Sequence, residues 1–218
     1  MKKNDILILF AFFFTVVFFS FYSAKASMPL MGKTIYLDIG HGGVDPGSIV
    51  GKIYEKDINL AIGKALEEEL IKLGATVYMI REGDYDLGSP NATYRKKSDF
   101  DQRIKLINES NADMYISIHL NFLEDSRYSG PQVFYNKKDE KNESIAAIIQ
   151  EELNTALKKD RDYKKIPNAT YMYDKIEIPG VLVECGFLSN STERNKLISE
   201  TYQKEFAKYL ANAIAKFY

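Results

Sequence analysis

The chain contains only two histidines, His41 and His119, and each closes a short apolar run. Thr34 to Ile39 leads through Gly40 to His41, and Met114 to Ile118 leads to His119. Neutral imidazole is a common zinc ligand, and a catalytic zinc takes three protein ligands and leaves a fourth position open. Two histidines and one carboxylate would complete such a set. His41 lies within LDIGHGGVDPG. The glycines there let the backbone turn sharply, so that the ring faces a ligand rather than a neighbour. The plainer reading of one loop histidine is a solvated side chain. Both histidines sharing one structural slot speaks for a site.

The third ligand of such a site should be a carboxylate near a helix start, and YEKDINL offers Glu55 and Asp57. Asp57 has ordinary work available as the N-cap of the following helix. Glu55 has none, which makes it the candidate ligand, with a solvent-exposed Glu55 as the alternative. Glu184 ends the apolar run Val181 to Val183. A carboxylate there is commonly a cap or an ion-pair partner, but Asn190, with Glu193 three residues on, already supplies the next cap. Beside an activated water, Glu184 could take a proton and later deliver one to a leaving amine. Cys185 next to it raises a rival reading, a Cys-His hydrolase. Strand alternation opposes that reading, because neighbours on a strand point to opposite faces. A single cysteine in an exported chain also excludes an internal disulfide.

The elements that must carry these residues alternate between strand and helix patterns. Strands are expected at 34–39, 76–80, 114–118, 132–135 and 181–183. Helices are expected from Asp57 to Leu73, stopped by Gly74, from Glu143 to Leu157, and at the C-terminus, where Phe206, Leu210, Ala213, Ile214 and Phe217 form the buried stripe. Ser98-Asp99-Phe100-Asp101 reads as a capping box opening a helix, after a polar loop over residues 83–97. Strands separated by helices predict a single α/β domain, with a twisted, mostly parallel sheet and helices on both faces. Ligands in such sheets sit beyond the carboxyl ends of the strands. His41, His119 and Glu184 should therefore converge on one rim.

Residues 1–26 read as a leader. Lys2 and Lys3 precede an apolar run from Ile6 to Tyr22, and Ala24-Lys25-Ala26 has the small-residue pattern of a cleavage site. Either a signal peptide or an uncleaved N-terminal membrane anchor fits, and both place the rest of the chain outside the cytoplasm. Cleavage after Ala26 leaves 192 of the 218 residues, enough for one domain with its own core. The whole chain is near −1 and the part beyond the leader near −3, which argues against nucleic acid as a partner.

Three stretches together carry a family resemblance: LDIGHGGVDPGSIVGKIYEKDINLAIGKAL, ADMYISIHLNF and GVLVECGFLSN. They resemble the signature segments of the zinc-dependent N-acetylmuramoyl-L-alanine amidases of the amidase-3 family, and the likeness covers residues 33–218. It implies one zinc ion held by His41, Glu55 and His119, with Glu184 as catalytic acid/base and Asn121 near the substrate. The implied reaction is cleavage of the amide between the lactyl group of N-acetylmuramic acid and L-alanine in peptidoglycan, at the cell wall or in the forespore intermembrane space. A non-catalytic peptidoglycan-binding or scaffold domain is the alternative. Ile39 and Ile80 depart from the proline and threonine common in the family. The short stretch between Asn121 and Glu143 leaves no room for the blocking helix of cell-division relatives. A single catalytic domain behind a leader is most similar to the germination-specific amidases of spore formers. That likeness implies a role in muramic-δ-lactam formation in the spore cortex and control from outside the domain, for which a protein activator in the same compartment is one route.

Overall fold

The computed structural model describes residue 10 and residues 12–18, 28–167 and 170–218. Residues 12–18 are helical, while the expected cleavage site after Ala26 lies outside the described residues. No helix among the described residues is long and apolar enough to cross a membrane.

Among the described residues eight strands form: β1 (Thr34–Ile39), β2 (Ile49–Val50), β3 (Ile53–Tyr54), β4 (Thr76–Met79), β5 (Met114–Asn121), β6 (Gln132–Tyr135), β7 (Lys164–Lys165) and β8 (Gly180–Phe187). Among the described residues from 28 onward, five helices accompany them: α1 (Glu55–Lys72), α2 (Arg95–Glu109), α3 (Lys141–Leu157), α4 (Ser191–Leu197) and α5 (Glu200–Phe217). The main sheet runs β4-β1-β5-β8-β6-β7. The first four strands are mutually parallel, and β6 with β7 runs against them. β2 and β3 make a separate antiparallel hairpin. The expected single α/β domain with a mostly parallel sheet is what forms.

Side-chain alternation on these strands separates two faces. Ile35, Leu37 and Ile39 on β1, Ile116 and Ile118 on β5, and Val181 and Val183 on β8 are fully buried in the core. Helices α1, α3 and α5 pack together over that face and fill it with Ile62, Leu66, Leu153, Phe206 and Leu210. The other face of the same strands carries Asp38, Ser117, His119, Leu182 and Glu184. In register, Asp38 lies beside Ser117, Ser117 beside Leu182, and His119 beside Glu184. Helix α2 covers this polar face through Arg103, which bonds Asp38. Helices therefore flank both faces, and the chemistry-bearing residues occupy one of them. Leu30 is buried and donates its N–H to the Leu73 carbonyl, so the packed unit reaches ahead of Lys33.

Candidate metal centre and its cleft

The residues after β1 form the first wall of the site. His41 takes a left-handed backbone with φ of 60°, a conformation that histidine adopts more readily than bulkier side chains. Two buried arginines hold that turn. Arg81 donates to the carbonyls of Ile39, Gly40, Lys56 and Gly83, and Arg103 to those of Ile39 and His41. Gly40 sits where the His119 ring crosses the chain, and a Cβ there would overlap that ring.

Glu55 forms the second wall, and it is the first residue of α1 rather than the last before it. The expected cap, Asp57, lies inside the first turn. Loop carbonyls take the capping role: Glu55 N–H donates to Ser48 O and Lys56 N–H to Pro46 O. The His41 loop thus folds onto the helix start and leaves the Glu55 carboxylate free to turn inward. That carboxylate is buried and accepts bonds from Ser48 N at 2.9 Å and Leu120 N at 3.1 Å. Its Oε1 lies 3.0 Å from His41 Nε2 and 3.1 Å from His119 Nδ1. The two rings meet nearly edge to face, with centroids 4.8 Å apart.

One ligand atom from each of His41, Glu55 and His119 falls within 4.8 Å of the others, a spacing at which one ion can touch all three. Asp45 accepts at 3.0 Å on the far nitrogen of His41, the outer carboxylate contact that fixes ring orientation in metal sites. Burial opposes charge on His41, but Asp45 and Glu55 outweigh it and raise its pKa to about 9. Burial likewise opposes ionisation of Glu55, and contacts from His119 and His41 outweigh it, holding the carboxyl well below the usual range. These shifts describe the site without metal.

Glu184 lies within β8, three residues short of its end, beside His119 in register. The residue is half-buried, yet its Oε2 is out of solvent contact and bonds no protein group. Burial is the main cause that pushes its pKa up to about 7; His119 and His41 pull it down, and Glu55 adds to the rise. Glu184 opens into a cleft of about 260 Å³ between the sheet and α2. Cys185 points the other way into the core, where burial pushes its thiol well above the ordinary range. This geometry removes the Cys-His reading. Asn121 ends β5 beyond a bulge, outside the lining of the cleft, and its carbonyl accepts from Leu188 N–H.

Arg81 and Arg103 escaped the sequence reading. Arg103 stands at an inward position of the α2 stripe between Phe100 and Ile107, and a charge there is itself a signal of a buried partner. Asp38 gives the same signal, as an acid inside an apolar strand. Arg103 bonds Asp38 and Asp99, both at 2.7 Å.

A mostly parallel sheet with a His-Glu-His cluster that could hold a metal ion, beside a carboxyl oxygen without a protein partner, defines a class: single-domain α/β proteins with a candidate metal site on one face of the sheet. Residues 35–216 match the amidase-3 family, N-acetylmuramoyl-L-alanine amidase, and the chain belongs to that family of hydrolases. The germination-specific N-acetylmuramoyl-L-alanine amidase of Bacillus subtilis (strain 168) is 42% identical over 195 residues, covering 88% of this chain and 82% of the relative. The CwlD amidase from Clostridioides difficile, solved in complex with the GerS lipoprotein, superposes with a TM-score of 0.80 at 40% identity, over 85% of this chain and 98% of that one. An N-acetylmuramoyl-L-alanine amidase from Clostridium difficile 630 gives 0.73 at 29% identity, over 85% and 96%.

Proposed function

We propose that His41, Glu55 and His119 hold one zinc ion, and that Glu184 moves the protons in hydrolysis of the lactyl–L-alanine amide of peptidoglycan. One observation carries the reading: a carboxyl oxygen without a protein partner, out of solvent, next to a His-Glu-His cluster. The donor set fits zinc, which takes imidazole nitrogen and carboxylate oxygen in open catalytic sites. When bound, the ion supplies Lewis acidity toward the carbonyl and makes water a competent nucleophile near neutral pH.

The protein's own groups do the rest. His41 presents Nε2 and His119 presents Nδ1 toward the same Glu55 oxygen, and Asp45 keeps the His41 ring from turning. Glu184 takes a proton from the attacking water as the new C–O bond forms at the lactyl carbon. It then gives that proton to the L-alanine nitrogen as the C–N bond breaks. Burial raises the proton affinity of this carboxyl in the metal-free protein, the direction that suits a group that must hold a proton between taking it and passing it on.

The likeness to the germination-specific enzyme supports action outside the cytoplasmic membrane, in spore-cortex maturation with muramic-δ-lactam formation. The CwlD–GerS complex supports a protein partner for this chain as well. Attachment to the membrane through the leader is the remaining part of this reading.

Elemental analysis and amidase assay on one purified sample test the core of it. One zinc per chain, with activity lost to chelator and restored by zinc, is the expected result. In His119→Ala, metal and activity should fall together while the circular dichroism spectrum stays native. Full zinc occupancy in that variant would remove His119 from the ligand set.

A further inference from the structure

The cleft that holds Glu184 continues away from the metal cluster, and its outer half is built differently from its inner half. Asp38 and Asp99, inside, are both committed to Arg103 at 2.7 Å. Toward the mouth stands Lys96, with its side chain 63% exposed and its ammonium 3.3 Å from Asp45 and 5.8 Å above the Phe100 ring. Phe100 stacks on Tyr171 with ring centroids 6.5 Å apart. Lys97 and Lys175 lie over Tyr171 at 5.1 and 3.7 Å. The mouth is thus an aromatic shelf beside Lys96, while Lys97 and Lys175 lie against Tyr171 outside the cleft lining, and Asp101 accepts from both Lys97 and the Tyr171 hydroxyl.

Helix α2 does not place these cations for its own benefit. Its first turn reads Arg95-Lys96-Lys97 with no acid, although the helix field there favours acids. Arg95 is tied to Asp86 at 3.0 Å and Lys97 to Asp101 at 2.7 Å. Among the described residues the one ion pair of Lys96 is the longer contact to Asp45, an acid already shared with His41. A local preference broken at the mouth of a reactive cleft is a mark of function.

We infer that Lys96 is a specificity residue that binds a carboxylate of the stem peptide, so that acidic stems are taken in preference to amidated ones. The inference rests on the amidase reading. Lys96 stands two contacts from the metal-facing ring, 3.3 Å to Asp45 and 3.0 Å from Asp45 to His41. An extended chain advances about 3.5 Å per residue. A stem that leaves the His-Glu-His cluster along this wall of the cleft would bring the residue after L-alanine within reach of Lys96. In peptidoglycan stems that residue is a γ-linked D-glutamyl unit, whose α-carboxyl is either free or amidated. The free carboxylate would share Lys96 with Asp45, while the apolar part of the stem lies on Phe100 and Tyr171.

The test is a titration of the zinc-loaded full chain carrying Glu184→Gln, which removes turnover from the measurement. The ligands are synthetic N-acetylmuramoyl-L-alanyl-D-isoglutamic acid and its isoglutamine amide. The acid should bind about tenfold more tightly, as expected for one charge-assisted bond at a partly exposed site. Lys96→Met in the same background should bring the acid-to-amide ratio close to one, and Lys96→Arg should keep most of it. Equal binding of the two ligands before Lys96 is changed, a preference that survives Lys96→Met, or no binding of either ligand overturns the inference. Cleavage of the same two compounds by the unaltered chain is scored separately. If neither is cleaved while the binding preference behaves as expected, the amidase reading fails and the carboxylate subsite stands.

Discussion

Replacing Arg103 with methionine is the most revealing perturbation of this fold. Methionine keeps the reach and apolar stem of the side chain and deletes only the guanidinium. Four hydrogen bonds go with it: to Asp99 and Asp38 at 2.7 Å each, and to the carbonyls of Ile39 and His41 at 2.8 Å each. Asp38 and Asp99 then share a buried region with no cation between them, although Asp38 keeps the Ser117 hydroxyl. Breaking a buried ion pair from one side costs about 3–5 kcal/mol, because the remaining charge is stranded. That is a large share of the about 5–15 kcal/mol by which a domain is stable. For a domain of this size it lowers Tm by about 6–20 °C. Urea unfolding of the metal-free protein, followed by circular dichroism, measures it directly. Adding Asp38→Asn and Asp99→Asn to Arg103→Met should recover a good part of the loss, since the stranded charges go too. Zinc affinity should fall by about tenfold through the slackened His41 carbonyl, an effect of the size seen for outer-shell contacts. A loss under about 1 kcal/mol, or further destabilisation by the two asparagines, would refute the stranded-charge reasoning.

Other consequences are quicker to check. Burial lifts Glu184 from 4.5 to about 7, so the folded, metal-free protein holds this proton more tightly than the unfolded chain. Its stability should therefore decline as pH rises from 4.5 to 7, by about 3 kcal/mol from this group, and level off above. Glu184→Gln should remove that slope in pH-resolved urea melts and lower turnover by about two orders of magnitude with zinc retained; the same slope in both proteins would contradict the assignment. Gly47 has φ of +66°, and a Cβ there would lie 2.7 Å from both Glu55 Oε2 and His41 Cδ2. Gly47→Ala should cost about 1–2 kcal/mol in backbone strain and weaken zinc binding in a chelator competition; unchanged affinity would mean that the loop yields without moving either ligand. Cys185→Ala should leave turnover at the parent level, and loss of activity in a folded variant would revive the thiol mechanism.

The alternation of strand and helix and the slots of His41 and His119 were legible because they rest on local regularities, apolar periodicity and strand-end position. The helix starts were not. Ser98 and Asp99 resemble a cap for their own helix, but α2 already begins at Arg95. The Ser98 hydroxyl accepts from Ser89 N–H and the Asp99 carboxylate from Leu87 N–H, so both serve the preceding loop. Asp57 misleads in the same way, since backbone carbonyls from the His41 loop cap α1. Asn190 does cap α4, accepting from Glu193 N–H at 2.9 Å, but Glu193 does not return the bond. Its carboxylate turns to the N–H groups of Gly130 and Phe187. Ser98, Asp99 and Glu193 are acceptors as the local pattern suggests, but their donors lie outside the expected capping boxes, and Asp57 loses the cap to backbone carbonyls.

Glu184 shows why such partners decide function. By sequence it closes a strand; in the fold β8 runs on to Phe187 and pairs with β6, where Gln132 is opposite Glu184. Its carboxylate thereby comes to lie on the sheet's face, under α2, instead of at a solvated edge. That placement keeps Oε2 out of solvent contact and raises its proton affinity. An arginine bonded to Glu184 would have cancelled the effect, and two buried arginines hold the adjoining His41 turn, Arg103 lining the cleft as well. Both are fully engaged elsewhere, Arg103 by Asp38, Asp99 and two carbonyls, Arg81 by four carbonyls. The polar network below the cleft therefore does two things at once. It holds the His41 turn in its left-handed conformation, and it occupies both guanidinium groups, so that neither bonds the unspent Oε2 of Glu184.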